Sequence, residues 1–207
     1  SLFCDDKGVV HWGDRSAALL VDYILSEHPG ALIVTTISAS KVIDDLVEKH
    51  NAKIFKTRVG SVDVSSAMVE HGAIFGLEEN GGCFYAPHIP VRDGAMTTAL
   101  ILEALAKSER SLSEMLNTLP RYYQKKTKFE CSKELVPEVM EKIEAHVKGK
   151  VERIDGLKVW VDENTWILLR PSGTEPVIRV FAESDEPKKL DAVIGEYSDL
   201  VKEALNR

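Results

Sequence analysis

The chain has 207 residues, 44% hydrophobic and 29% charged, with a formal net charge of −7, a composition that fits a soluble globular protein of one large or two small domains. The acidic balance disfavours a nucleic-acid partner, and no apolar run approaches the ~20 residues needed to span a membrane. The start, Ser1-Leu2-Phe3-Cys4-Asp5-Asp6, has neither the basic region nor the apolar core of a signal peptide. Cys4, Cys83 and Cys131 are odd in number and far apart, without metal-like spacing. Reduced thiols in a cytoplasmic protein are the expectation.

In chain order, residues 5–8 read as a turn and 9–12 as a short strand. Asp14 is expected to cap a helix over residues 15–27, which Pro29-Gly30 stops. Residues 31–37 form a continuous apolar and β-branched run, the pattern of a strand buried on both faces. Ser38 or Ser40 then caps a helix with Val42, Ile43, Leu46 and Val47 on one side. A strand is predicted over 53–57, a helix over 62–71 ended by Gly72, and a short strand over 73–75. Helices follow over 95–107 and 112–119. Arg92-Asp93-Gly94 precedes the first of these, so Asp93 is expected to cap it and to pair with Arg92.

After Pro120 the basic stretch 121–128 reads as a linker, with Lys125, Lys126 and Lys128 on a solvated face. Beyond it the pattern predicts a helix over 134–146, strands near 151–154, 158–161, 165–170 and 177–183, and a last helix over 188–205. That helix carries an apolar stripe of Leu190, Val193, Ile194, Tyr197, Val201 and Ala204. The expected fold is therefore α/β. A mixed, mostly parallel three-layer α/β domain is followed by a smaller α+β domain with an antiparallel sheet and two helices.

Two loops carry candidate chemistry. Arg170-Pro171-Ser172-Gly173-Thr174-Glu175-Pro176 lies between two predicted strands. Arg170 offers a donor fork that fits phosphate oxygens, Ser172 and Thr174 add hydroxyls, and Gly173 lets backbone N–H groups approach an anion. Arg179 in the next strand brings a second positive charge. The plainer alternative is a hairpin turn, since Pro, Ser and Gly fill turns anyway. The second loop is Gly76-Leu77-Glu78-Glu79-Asn80-Gly81-Gly82. Its Glu78 and Asn80 are groups able to bond sugar hydroxyls, although Asn-Gly also favours an ordinary turn. It is neither a P-loop nor a dinucleotide fingerprint. The histidines show no metal spacing.

Taken together these residues resemble the α-D-phosphohexomutase family of phosphoglucomutases, phosphomannomutases and phosphoglucosamine mutases. Residues 170–176 are similar to that family's phosphate-binding loop, and Glu78-Glu79-Asn80-Gly81-Gly82 to its sugar-binding loop. Trp12-Gly13-Asp14-Arg15, Arg92-Asp93-Gly94 and Tyr122-Tyr123 fall in the family's order. The resemblance implies a four-domain enzyme that interconverts hexose 6-phosphate and hexose 1-phosphate through a phosphoserine and a hexose 1,6-bisphosphate, assisted by Mg²⁺. It implies sugar contacts at Glu78, Asn80 and Arg58, and phosphate contacts at Arg170, Ser172, Gly173, Thr174 and Arg179.

Neither the family's serine loop, Thr-Ala-Ser-His-Asn-Pro, nor its metal loop, Asp-x-Asp-x-Asp-Arg, occurs in these 207 residues. No catalytic residue and no metal ligand is therefore assigned within them, and the Mg²⁺ ligands are expected upstream. By the same comparison residues 1–11 are expected to be the tail of a preceding domain, 12–122 the third domain and 128–207 the fourth. Two positions depart from the family pattern: Leu77 replaces a common glycine, and Ser61 stands where Asp or His is frequent. The expected partners are hexose phosphates and upstream domains of the same polypeptide. The alternative reading is a stand-alone, non-catalytic phosphosugar-binding protein.

Overall fold

The computed structural model describes residues 1–206 and divides into two compact units, Ser1–Pro120 and Arg121–Arg207. The first unit opens with a hairpin of β1 (Phe3–Cys4) and β2 (Val10–His11). Gly8 turns it with a left-handed φ of 78°. The Asp6 carboxylate accepts from the Ser113 N–H at 2.8 Å and from its hydroxyl at 3.0 Å, which ties the hairpin to a later helix.

The rest of this unit is built from α1 (Gly13–Glu27), β3 (Leu32–Thr36), α2 (Lys41–Lys49), β4 (Lys53–Thr57), α3 (Ser61–His71), β5 (Phe75–Leu77), β6 (Cys83–Tyr85), β7 (Ile89–Arg92), α4 (Gly94–Ser108) and α5 (Leu112–Asn117). The sheet order is β4-β3-β5-β6-β7. Strands β4, β3 and β5 run parallel, while β6 and β7 add an antiparallel edge. β3 is almost wholly buried, as its unbroken Leu-Ile-Val-Thr-Thr run requires. Val34 on one face meets Val64, Ala67 and Met68 of α3, and the alternate residues Ile33, Phe75 and Leu77 are wholly buried. Gly76 permits this closeness, because a Cβ there would sit 2.4 Å from the Met68 sulfur.

Two helix starts differ from expectation. Asp14 does not cap α1; the helix begins at Gly13 after Trp12, and Asp14 is buried in its first turn, where a carboxylate suits the helix dipole. Of the two serines, Ser40 caps α2, accepting from the Val42 N–H at 3.3 Å. The β6–β7 hairpin has no counterpart among the elements expected from the sequence.

The second unit comprises β8 (Tyr123–Glu130), α6 (Val136–Glu144), β9 (Lys150–Glu152), β10 (Leu157–Trp160), β11 (Trp166–Pro171), β12 (Val177–Ser184) and α7 (Pro187–Leu205). The sheet is antiparallel, in the order β8-β12-β11-β10-β9. Its core face (Val159, Ile167, Leu169, Ile178, Val180) packs with Val139 and Ile143 of α6 and the stripe Leu190, Val193, Tyr197 and Val201 of α7. The linker expected at 121–128 is corrected. From Tyr123 the chain is already strand, paired with β12 along its whole length. Its lysines mark an edge strand: Lys125 pairs with Asp191, and Lys126 lies 5.3 Å from the Phe181 ring centroid.

Candidate functional site

Parallel α/β sheets bind ligands beyond the carboxyl ends of their strands. In the first unit, Arg58 directly follows β4 and Glu78 directly follows β5, with β3 between those strands. Thr57 and Leu77 lie opposite Thr36 and Thr35 in register, so both strands end at one edge. Arg58 is exposed there. Ser61, three residues on, opens α3.

The loop after β5 is a tight turn. The Glu78 N–H donates to the Gly82 carbonyl at 2.8 Å, and the Gly81 N–H to the Glu78 carbonyl at 3.0 Å. Gly81 supplies the left-handed φ of 89°. The first residue of α1 presses against the turn, so that a Cβ on Gly13 would lie 2.0 Å from the Gly81 nitrogen. Gly13→Ala is therefore expected to displace the loop and to cost about 1–3 kcal/mol, read by thermal melting. Unchanged stability would show that the two segments move apart freely.

Within the turn Glu78 is buried and Asn80 exposed. The Asn80 carbonyl oxygen accepts from the Gly82 N–H at 3.1 Å, so its amide nitrogen is the end left for a ligand. One Glu78 oxygen is shielded from solvent and receives no hydrogen bond. The charge facing it is Arg92, whose Nη1 lies 3.3 Å away. The expected Arg92–Asp93 pair is thus corrected. Asp93 does cap α4, accepting from the Met96 N–H at 2.9 Å, but its side-chain partner is His88 at 3.2 Å. Burial pushes the Glu78 carboxyl above the usual range; Arg92 pulls it back and Glu79 pushes it further up. Because the folded value is raised, protonation favours the native state. Stability contributed by Glu78 is present in acid and declines as pH rises through the raised value.

In the second unit, Arg170 stands near the end of β11, cross-strand from Arg179 on β12, which is in turn opposite Lys128 on β8. Three cations therefore form a row across the sheet, at the end where Ser172–Glu175 turns. The Arg170 Nε donates to Asp155 at 2.5 Å, and both side chains are largely buried. Its Nη groups carry no hydrogen bond among the described residues. Gly156 brings this partner close: its φ is 91°, and a Cβ there would meet the Leu169 oxygen at 2.3 Å. Arg179 holds Glu175 at 2.7 Å. That hydrogen bond, followed by the nearby Lys128 charge, keeps the Glu175 carboxyl below its ordinary range.

The Ser172 hydroxyl oxygen accepts from the Thr174 N–H at 3.4 Å and the Glu175 N–H at 3.2 Å, so it folds the loop as well as offering its own proton. Gly173 and Thr174 are exposed. The protein's own packing does not require a glycine at 173. Its φ is not left-handed, and an added Cβ would meet nothing within 4 Å. Gly173→Ala is accordingly expected to leave the melting temperature within about 2 °C while weakening inorganic phosphate or sugar-phosphate binding. Equal binding by both forms would remove Gly173 from the site.

The sequence located both loops and missed their partners. Arg92 and Asp155 are brought in by hairpin registers, and Lys128, expected on a solvated face, joins the row of cations through the β8–β12 pairing. The advance signals in the sequence are the position of Arg92 just before a predicted helix cap and the Asp155-Gly156 pair. Among the described residues no group of three His, Cys, Asp or Glu side chains gathers in a metal-binding arrangement. These residues do not fit a magnesium site. No described helix is long and apolar enough to cross a membrane.

Residues 12–123 match the model of the phosphoglucomutase/phosphomannomutase alpha/beta/alpha domain III, and residues 127–199 match that of the C-terminal domain of the same proteins. The chain belongs to the phosphoglucomutase/phosphomannomutase family. A phosphoglucomutase/phosphomannomutase of Thermococcus kodakarensis is 41% identical over 99% of this chain and 45% of its own length. A crystal structure of a family protein from Burkholderia thailandensis superimposes with a TM-score of 0.84 at 22% identity, covering 99% of this chain and 44% of that one. An N-acetylphosphoglucosamine mutase of Aspergillus fumigatus, solved with GlcNAc-6P and magnesium, has a TM-score of 0.69 at 19% identity over 98% and 46% of the two chains. The chain thus spans slightly less than half the length of the curated relatives it matches.

Proposed function

We propose that this chain is the sugar- and phosphate-recognising half of a phosphohexomutase, an isomerase that moves a phosphoryl group between the 6- and 1-positions of a hexose through a phosphoserine and a bisphosphorylated sugar. In this reading Glu78 accepts from sugar hydroxyls, the Asn80 amide donates to the sugar, and Arg58 contributes positive charge beside it. Arg170, Ser172, Thr174, Arg179 and the bare backbone at Gly173 hold the phosphate that is not being transferred. The observation that carries the reading is Arg170, anchored through its Nε by Asp155, with both Nη groups carrying no hydrogen bond among the described residues. Anchoring one edge of the guanidinium leaves the other for bidentate contact with phosphate.

The phosphoserine and the Mg²⁺ ligands are placed in a part of the polypeptide outside these 207 residues, and the protein in the cytoplasm, consistent with three free thiols. The names of similar proteins cover gluco-, manno- and glucosamine-type substrates, and the proposal extends to hexose phosphates as a class.

Calorimetric titration tests the reading. The chain is expected to bind glucose 1,6-bisphosphate and to give no heat with glucose, and it is expected to show no mutase turnover alone. Equal affinity for glucose and its bisphosphate would reject the phosphate-site assignment. Turnover by the chain alone would reject the placement of the nucleophile elsewhere. The intact mass of the natural protein separates the mutase from a stand-alone binding protein: a mass near 23.0 kDa favours the latter.

A further inference from the structure

Strand β7 delivers Arg92 beside the turn between β5 and β6, in register with Phe84. The space it enters exists because position 82 is glycine. A Cβ there would lie 2.5 Å from the Arg92 Cδ and 2.9 Å from a Glu78 carboxylate oxygen. Arg92 then spans two groups, with Nη1 3.3 Å from the Glu78 oxygen and Nη2 3.5 Å from the Ser61 hydroxyl. Glu78 is 5% exposed, whereas the Arg92 side chain is 49% exposed. The arginine therefore lies between a shielded carboxylate and solvent.

We propose that Arg92 is a positioning residue of the sugar-reading site, occupying the volume Gly82 leaves open and holding the Glu78 carboxylate oriented and ionised so that it can accept from sugar hydroxyls. This rests on the reading of Glu78 given above. An ionised carboxylate accepts two hydroxyl protons, whereas the neutral acid has one oxygen committed as a donor. Two other charges belong to this turn: the Ser1 ammonium, which donates to the Gly81 carbonyl at 2.6 Å, and the Glu79 carboxylate. Glu79 in the same loop repels it. Burial pushes the neighbouring Cys83 thiol up to about 12, with small further pushes from Asp14 and Glu78, so it stays neutral. Among the described groups acting on Glu78, the favourable charge comes from Arg92.

The test is titration of the chain with glucose 1,6-bisphosphate between pH 5 and pH 8, comparing the unaltered chain with Glu78→Gln, Arg92→Met and Arg92→Lys. The ligand's own phosphate titration is common to all four and cancels in ratios to the unaltered chain. Arg92→Met is expected to lose about tenfold in affinity near pH 5 and much less near pH 8, because loss of the neighbouring positive charge moves the acid limb upward. Arg92→Lys should recover part of the loss, and Glu78→Gln should be weak throughout with a flattened acid limb. If Glu78→Gln binds like the unaltered chain, the assignment of Glu78 fails and takes this inference with it. If Glu78→Gln is weak but Arg92→Met keeps the original pH dependence, the inference alone is overturned. Thermal melting checks that each variant folds, and Arg92→Gln carries the test should Arg92→Met not fold.

Discussion

Arg170→Ala is expected to weaken binding of glucose 1,6-bisphosphate by about 100-fold, the loss of some 2–3 kcal/mol that a charge-assisted, forked contact to phosphate contributes. The size follows from the setting. The side chain is largely buried, Asp155 fixes its Nε, and little conformational freedom remains to be lost on binding. Arg170→Lys should recover only part, since an ammonium is a point charge without the fork. Thermal melting must accompany the titration, because the alanine variant also leaves Asp155 without this partner. A stable variant that loses less than about threefold in affinity would remove Arg170 from the phosphate site.

The largest effect on stability is expected at Glu183, on the same strand as Arg179. It is fully buried. One oxygen accepts from the Trp166 indole N–H at 2.8 Å and the other from the Gln124 amide at 2.8 Å. The neighbouring Lys158 is 1% exposed, with its ammonium 3.9 Å from the centroid of the Trp166 ring. Glu183→Leu would leave the Trp166 and Gln124 donors without these acceptors in a fully buried setting. The expected cost is about 3–5 kcal/mol, a fall in melting temperature of roughly 12–40 °C for a unit of this size. Glu183→Gln retains an acceptor and should cost distinctly less. If both variants melt within about 2 °C of the unaltered chain, the network does not hold this sheet together.

Where a single physical signal decided local structure, it was readable in the sequence. The unbroken apolar run of β3 could only be a doubly buried strand, and the 3.6-residue stripe of α7 dictated its packing face. Strand β8 was hidden because an edge strand need not be apolar. Its Gln-Lys-Lys-Thr-Lys sequence looks like linker until β12 is found beside it. The candidate site divides the same way. Glu78, Asn80, Arg170 and Ser172 belong to short loops whose chemistry is local. The Glu78–Arg92 and Arg170–Asp155 pairs depend on hairpin registers, which the spacing of residues along the chain does not reveal. Gly82 illustrates the limit. In sequence it is one more turn residue, and only the structure shows that its missing side chain makes room for an arginine.

Both five-stranded sheets are open, and the composition of their borders has a consequence for handling the protein. β4 carries Lys53 and Lys56, β7 carries Pro90 and Arg92, β8 carries Lys125, Lys126 and Lys128, and β9 carries Lys150. Each of these four strands closes one side of its sheet. A second molecule that tried to extend either sheet would have to bring its own border charges against these or break its ladder at the proline. Concentrated solutions should therefore resist strand-by-strand aggregation, and the same polar margins leave ligand binding as the remaining business of the strand ends.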